Sequence, residues 1–228
     1  MRAKPIWLRE EGALSWEAPP EAEAKDGHDE YVSDPAKPVP HHDQTHIGMS
    51  KDYMTGDQRF ASRRTDVLTY RTPPLEEDVT LAGPIEVELH VSTTGTDSDW
   101  VAKLIDVHPD AYPDPKPNPT GVRMGGYQQL LRGDVMRGKF RDSYEKPTAF
   151  EPGKPTRVRF RMQDVCHTFR AGHRIMVQVQ STWFPLADRN PQVFLDIHKA
   201  KESDFRKATQ RVYRTKALPS RLVLTVKP

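Results

Sequence analysis

At residues 169–185 the chain reads FRAGHRIMVQVQSTWFP, which is the clearest structural signal in its 228 residues. Ala171-Gly172 is a turn signal, and from His173 onward apolar and polar residues alternate. One side of the alternation holds Ile175, Val177 and Val179, and the other holds Arg174, Met176, Gln178 and Gln180. This period of two predicts a β-strand with one face in a core. The strand should end at Trp183-Phe184-Pro185, because proline cannot extend a central ladder.

Other short segments alternate in the same way and predict an all-β protein. We expect strands at residues 67–70, 84–93, 99–108, 126–131, 156–163, 194–197, 210–213 and 221–227, and a hairpin at 5–17. Residues 99–108 are apolar on both sides, so this strand should be central and covered on both faces. The 21 prolines disfavour long helices. Two packed antiparallel sheets bury such strands best, which predicts a β-sandwich of jelly-roll type with long loops.

The first part of the chain differs in composition from the rest. Periodicity fades between residues 18 and 65, where prolines, charges and histidines dominate. We expect an extended leader and loop over residues 1–65 that packs on a sandwich at 66–228, with a disordered linker as the alternative. The net charge is only +2, but residues 1–80 hold 10 Lys and Arg against 16 Asp and Glu. This acidic leader could lie against the remainder, where 24 basic residues face 16 acidic ones.

The cysteine content and the N-terminal residues place only broad limits on the compartment in which the protein acts. Cys166 is the single cysteine, so an internal disulfide is impossible. Residues 1–20 contain no apolar run, and we expect neither a signal peptide nor a transmembrane segment in this chain. These features do not assign a compartment.

Motifs for nucleophilic catalysis are weak. The string Gly48-Met49-Ser50-Lys51-Asp52 lacks the second glycine and the preceding strand of a nucleophile elbow. Ser143 and Lys146 have the S-x-x-K spacing, but Pro147 follows at once and favours a surface loop. Cys166 and His167 are sequence neighbours, whose side chains point apart on a strand, which favours a buried cysteine beside a turn. We therefore predict no catalytic residue in this chain.

Two groups of residues could bind a metal ion. His41, His42 and His46 lack a Cys pair or an H-E-x-x-H motif to complete a zinc site, which favours solvated loop histidines. Asp97-Ser98-Asp99 has alternating oxygens that could bind Ca²⁺, or its carboxylates could cap backbone N–H groups in a turn. We favour the turn and predict no metal and no cofactor.

The best candidates for an interface or pocket rim follow the strand that ends at Gln180. Trp183, Phe184 and Arg189 combine aromatic rings with a guanidinium, as interface anchors do, although the two rings could merely plug the sandwich. Their neighbours complete the candidate set, namely Asn190, Asp97, Asp99 and Trp100. A basic row at Arg157, Arg159 and Arg161 lacks interleaved aromatic residues, which favours a solvated strand face over nucleic acid binding.

These strings together resemble a known family. F-x-A-G-H-R-I-x-V-x-V-x-S…F-P…R-N-P occurs with DEYVSDP at residues 29–35, DQRF at 57–60, DVLTY at 66–70, STTGTDSDW at 92–100 and GYQ at 126–128. The set is similar to the C-terminal β-sandwich of X-prolyl dipeptidyl-peptidases and cocaine-esterase-like hydrolases. The nearest likeness is to α-amino acid ester hydrolases and glutaryl cephalosporin acylases. The resemblance spans nearly the whole chain.

The resemblance implies a jelly-roll (galactose-binding-like) domain that supports catalysis without performing it. In that family a Ser–His–Asp triad lies in an α/β-hydrolase module that precedes the sandwich, and none of its motifs occurs here. The implied partner is that module, with a possible homo-oligomer and with neither nucleic acid nor membrane. The alternatives are a free-standing carbohydrate-binding module, and an assembly protein whose loop at 18–65 wraps a partner.

Overall fold

The computed structural model describes residues 1–21, 27–45, 48 and 52–227. Within them, eleven strands form two antiparallel sheets, as the sequence predicted. In chain order the strands are β1 (Arg2–Leu8), β2 (Leu14–Ser15), β3 (His28–Ser33), β4 (Leu68–Arg71), β5 (Val79–Thr93), β6 (Asp99–Val107), β7 (Gln128–Arg137), β8 (Thr156–Phe169), β9 (Arg174–Gln180), β10 (Ala208–Tyr213) and β11 (Arg221–Val226).

Strand β5 organises the larger, seven-stranded sheet. The order is β2-β1-β11-β5-β10-β3, with β8 on the other edge of β5. Strand β5 is 15 residues long and pairs with β8 from Val79 to Val91 along one edge, while β11 and then β10 share the opposite edge. The smaller sheet has the order β4-β9-β6-β7. The chain crosses from the larger to the smaller sheet three times, after β3, after β5 and after β8, and the two sheets stack as a sandwich.

The main core lies between the two sheets. Alternate residues of β5, from Ile85 to Val91, are fully buried and pack with Leu104 of β6 and Val177 of β9. Burying each such aliphatic side chain contributes about 1.5–3 kcal/mol. This face is the one that the alternating pattern predicted.

The smaller sheet is covered on its outer face as well. Val101 and Ile105 of β6 pack there with Met176 and Trp183, and Tyr53 and Leu186 lie against this second cluster. All nine residues of β6 are buried, which confirms the prediction of a central strand covered on both faces. The prediction of a single buried face for β9 was wrong. Gln178 and Gln180 are fully buried; the chain around Gln58 covers Gln178, and Gln180 donates to the Thr182 carbonyl.

Several predicted element boundaries change. The loop at 18–65 contains β3, whose mostly polar residues pair with β10 at the edge of the larger sheet and bury Tyr31 and Ser33. The hairpin at 5–17 is confirmed by the pairing of β1 with β2. Residues 194–197 form no strand; bends lead into a 3₁₀ turn at Ile197–Lys199, where the Asp196 side chain accepts a hydrogen bond from the His198 N–H.

Strand β8 runs six residues beyond its predicted end, through a bulge opposite Gly83. The backbone of Gly83 has φ 137, which is costly for residues with a side chain. The bulge shifts the inward face from Met162 to Val165, so the alternating pattern is broken there. Cys166 consequently lies exposed on β8, and the prediction of a buried cysteine beside a turn was wrong.

The basic row on β8 lies opposite acidic residues of β5 rather than the acidic leader. Arg157 and Arg159 lie 3.9 Å and 3.8 Å from carboxylate oxygens of Glu88 and Glu86. These partly solvated pairs describe an ordinary strand face, as the sequence favoured. The one α-helix in the described part of the chain is α1 (Arg59–Ser62), and no helix there is long and apolar enough to cross a membrane.

Candidate functional site

The predicted interface residues meet at one end of the sandwich. Strands β6 and β9 are antiparallel, with Val101 opposite Gln180, so the start of β6 lies beside the end of β9. This pairing brings the Asp97–Trp100 segment next to the loop that follows β9. We refer to residues 181–192 as the β9 loop.

A buried polar network attaches the β9 loop to the smaller sheet. The Asn190 side-chain amide donates to Asp99 Oδ1 at 2.8 Å, and Asn190 Oδ1 accepts from the Gln192 N–H at 2.7 Å. Arg137 of β7 donates to both oxygens of Asp99 at 3.2 Å. Burial raises the pKa of Asp99, and the Arg137 guanidinium opposes that effect. Charge-assisted hydrogen bonds of this kind hold a loop in one geometry.

Asp97 caps the turn that precedes β6. Its Oδ1 accepts hydrogen bonds from the Ser98 N–H at 2.9 Å and from the Lys139 N–H at 3.1 Å. The carboxyl is only 2% exposed, and its pKa is raised to about 6 by burial, with the nearby Asp99 charge adding to the effect. Asp97 therefore caps backbone N–H groups in a turn, which is the interpretation that the sequence favoured.

Both tryptophans of the candidate set are interior. Trp100 is fully buried in the main core. Trp183 is 4% exposed, lies edge-on to Tyr53 at 6.1 Å, and borders a cavity of ≈ 540 Å³ under the outer face of the smaller sheet. The Lys103 ammonium lies 5.1 Å from the Trp183 ring, donates to Gln58 Oε1 at 2.9 Å, and has its pKa lowered to about 7 by burial. Trp183 is thus a packing residue of the end of the sandwich.

Phe184 and Arg189 are the members of the set that reach the surface. Phe184 is 39% exposed. Arg189 donates to the Pro35 carbonyl at 3.0 Å and to Glu202 at 3.2 Å, and its guanidinium lies 4.7 Å from the Phe205 ring centroid. The two residues border a groove of ≈ 500 Å³, which we call the loop-end groove and which is lined by Ala36, Pro38, Phe184, Asp188, Arg189, Ile197, His198 and Phe205.

Residues 35–41 form the other wall of this groove and are tied to the β9 loop. The Val39 N–H donates to Thr182 Oγ1 at 2.7 Å, and the Val39 carbonyl accepts from the Phe184 N–H at 3.0 Å. The Phe184 carbonyl accepts from the His41 N–H at 2.9 Å. Both walls therefore form one hydrogen-bonded unit, so Phe184 is presented on a well-anchored backbone.

Ser143, Cys166 and His167 are not among the residues that line this groove. Ser50 lies outside the described residues. The Ser143 hydroxyl accepts from the N–H groups of Glu145 and Lys146 at 3.2 Å and 3.1 Å, as in a surface turn. On β8, His167 points inward to Asp106 while Cys166 is exposed, so the two side chains diverge as expected.

The histidines that the sequence singled out are not the ones that the structure brings together. His46 is outside the described residues. The prediction of solvated histidines was wrong for His41, which is buried and packs against Tyr53 with ring centroids 5.5 Å apart. Among the described residues, the group of metal-binding side chains that converges is Asp106, His108 and His173. Sequence reasoning missed it, although the D-x-H spacing at the end of β6 was a usable signal. Burial lowers the pKa of His108, and Asp106 opposes that effect.

Comparison with known proteins gives consistent matches. A family model described as the X-Pro dipeptidyl-peptidase C-terminal non-catalytic domain matches residues 7–223. Cocaine esterase from Rhodococcus sp. (strain MB1 Bresler) is 34% identical over 198 residues, which are 87% of this chain and 32% of the esterase.

Solved structures agree with that match. An aminopeptidase from a marine sediment archaeon, Thaumarchaeota archaeon, matches 100% of this chain and 37% of its own at 42% identity, with a TM-score of 0.91. An α-amino acid ester hydrolase matches 99% of this chain and 36% of its own, also at 42% identity and a TM-score of 0.91. The chain spans about a third of the length of these relatives.

Proposed function

This chain belongs to the family of X-Pro dipeptidyl-peptidase C-terminal non-catalytic domains, and from that premise we propose that it docks through its loop-end groove onto the catalytic module of a larger serine hydrolase. The observation that carries the proposal is that the relatives are about three times longer than the matched region. The docked domain supports the module and helps to wall the acyl or amine side of its substrate pocket.

The chemistry of the loop-end groove suits a permanent protein contact. Aromatic rings and arginine dominate the binding energy of interfaces, especially where they are held in place before binding. Phe184 offers an exposed ring, and Phe194, 40% exposed, lies in the same part of the chain as Ile197. Arg189 is held by a carbonyl, a carboxylate and an aromatic ring, so little of its rotamer entropy remains to be lost on docking.

The buried network beneath the groove supplies its rigidity. Asn190 links the β9 loop to Asp99, and Arg137 links Asp99 to β7 while also donating to the Asp188 carbonyl at 3.1 Å. An interface anchored on a sheet keeps its geometry better than one on a free loop. In this proposal Asp97, Asp99, Asn190 and Trp183 position the contact residues rather than touch the partner.

The reaction of the parent protein is hydrolysis of an ester, an amide or an X-Pro peptide through a serine acyl-enzyme. This is part of our proposal, and the family and the names of the relatives, a cocaine esterase, an aminopeptidase and an α-amino acid ester hydrolase, support it. The nucleophile and its general base belong to the catalytic module. We assign this chain no bond-breaking residue.

A chimaeric enzyme tests the docking proposal. This chain replaces the matching third of the α-amino acid ester hydrolase, and the thermal stability and ester turnover of the chimaera are measured with Phe184→Asp, Arg189→Glu and the control Tyr144→Asp. Tyr144 is 78% exposed and lies far from the groove along the chain. Each groove variant should destabilise the chimaera by about 2 kcal/mol, the size of an interface hot spot.

The same variants in the isolated chain distinguish docking from folding. Phe184→Asp should destabilise the isolated chain less than it destabilises the chimaera, because docking buries the 39% of the side chain that is still exposed; the excess in the chimaera measures docking. If both groove variants match Tyr144→Asp in the chimaera, the loop-end groove is not the docking face.

A further inference from the structure

We propose that Asp106, His108 and His173 bind one divalent transition-metal ion, with Zn²⁺ the best match, at the end of the sandwich opposite the loop-end groove. Two imidazoles and one carboxylate are a ligand set that zinc sites use. The site is unrelated to the proposed docking face, because it lies where β6 ends and β9 begins.

Strand register explains why these three side chains converge. Asp106 and His108 are two residues apart and therefore point to the same side of the chain. In the antiparallel pair, Asp106 faces Ile175 and Val107 faces Arg174, so the next position places His108 opposite His173. Their ligand atoms all lie within 4.8 Å of one another. Ligands bound at about 2.0–2.2 Å around a tetrahedral ion are about 3.3 Å apart, so the Asp106–His173 pair at 2.8 Å would open slightly while longer separations close.

One ring nitrogen in the cluster has no hydrogen-bond partner. His108 is 7% exposed, and its Nδ1 is buried without a partner. A buried polar atom without a partner is unfavourable. The His108 and His173 ring centroids are 4.8 Å apart, and the ligand atoms of the three residues lie within 4.8 Å of one another. A metal ion between the two rings would satisfy the free nitrogen.

Asp106 links the site to the larger sheet. Its Oδ1 lies 2.8 Å from His173 Nδ1, and its Oδ2 lies 2.8 Å from His167 Nε2 on β8. The ion takes the place of the hydrogen bond between Asp106 Oδ1 and His173 Nδ1, and the proton of the neutral imidazole then resides on His173 Nε2. His167 keeps its hydrogen bond and orients the carboxylate, as groups outside the ligand set do in metal sites.

The surroundings enclose the cluster while leaving an approach. Tyr112 and Tyr127 pack on His108 with ring centroids 4.5 Å and 5.7 Å away, and Tyr112 also lies edge-on to His173 at 5.5 Å. The ligands Asp106 and His173 are 2% and 5% exposed. Tyr112 itself is 39% exposed, so its movement would admit the ion. This enclosure predicts a structural ion that joins the strand ends.

The test uses the full chain stripped with a chelator and then titrated with ZnCl₂. Calorimetry and elemental analysis should give one equivalent of Zn²⁺ bound, and the Tm should rise by about 5–10 °C when free Zn²⁺ is about 100 times its Kd. Titration with CoCl₂ should produce visible absorption bands of a nitrogen- and oxygen-bound ion. All of these measurements use the unaltered protein, so none of them depends on whether a variant folds.

Variants locate the ion. His108→Gln and His173→Gln should each lose the bound equivalent and the Tm rise, while the exposed His198→Gln should keep both. The proposal is overturned if the unaltered chain binds less than about one tenth of an equivalent. It is also overturned if the folded variants His108→Gln and His173→Gln bind zinc like the unaltered protein, which would place the ion on other histidines.

Discussion

Replacing the buried acid Asp97 by asparagine should stabilise the protein at neutral pH. The pKa of Asp97 is raised from its ordinary value of 3.8 to about 6, mainly by burial. Between pH 3.8 and 6 the folded state binds more protons than the unfolded state. The stabilising contribution of this carboxyl to the free energy of unfolding is therefore fully present below pH 3.8 and is lost as the pH rises through 6. At about 1.4 kcal/mol per pH unit, ionised Asp97 costs about 3 kcal/mol at pH 7.

Asparagine keeps the two hydrogen bonds that Asp97 accepts from backbone N–H groups and exchanges only the oxygen that faces the Asn190 side chain. Its carbonyl oxygen can still accept from the Ser98 and Lys139 N–H groups, which now donate to Asp97 Oδ1. The stability difference between Asp97→Asn and the unaltered chain should therefore be near zero at pH 4 and reach about 3 kcal/mol at pH 7. Urea unfolding followed by tryptophan fluorescence at each pH measures it.

A second acid gives a control of opposite sign. Exposed Asp78 accepts from the Ala171 N–H at 2.8 Å and from Arg170 at 2.7 Å, and these hydrogen bonds lower its pKa. Asp78→Asn should therefore destabilise the chain at pH 7, with a penalty that shrinks as the pH falls. The reasoning about Asp97 is refuted if Asp97→Asn is less stable than the unaltered chain at pH 7, or if their difference does not change with pH.

Two further substitutions test other parts of the structure. Lys103→Met should stabilise the chain by about 2–4 kcal/mol at pH 6, because burial lowers the pKa of Lys103 to about 7. The gain in stability should shrink between pH 7 and 10. A loss of stability at pH 6 would contradict this prediction. Gly138→Ala should destabilise the chain by at least about 2 kcal/mol in the same urea assay. The added carbon would lie 2.6 Å from the Ser98 carbonyl oxygen and against the Phe150 ring. An unchanged urea midpoint would show that the backbone moves to make room for the added carbon.

The parts of the fold that follow local alternation were predictable. The β5 pattern from Ile85 to Val91 identified both the strand and its buried face, and the doubly apolar β6 identified the centre of the smaller sheet. Strand β3 was missed because four of its six residues are polar or charged, and its pairing with β10 joins segments about 180 residues apart. The end of β8 was missed because the bulge opposite Gly83 changes which residues point inward.

The candidate site was predictable as a region and not as a set of contacts. Proline and aromatic residues after β9 located the loop, but its surface residues, Phe184 and Arg189, could not be told from the interior Trp183 by pattern alone. Burial of Gln178 depends on a covering segment about 120 residues earlier in the chain. The cluster around Asp106 depends on the register of β6 against β9, which no local pattern reveals.

Ester turnover by the isolated chain, measured beside the chimaera at equal concentration, tests most directly whether this is a supporting domain. A chromogenic ester should be hydrolysed at the background rate by the isolated chain and well above background by the chimaera. Turnover by the isolated chain that persists through purification and is abolished by substituting one of its own serines would contradict the account.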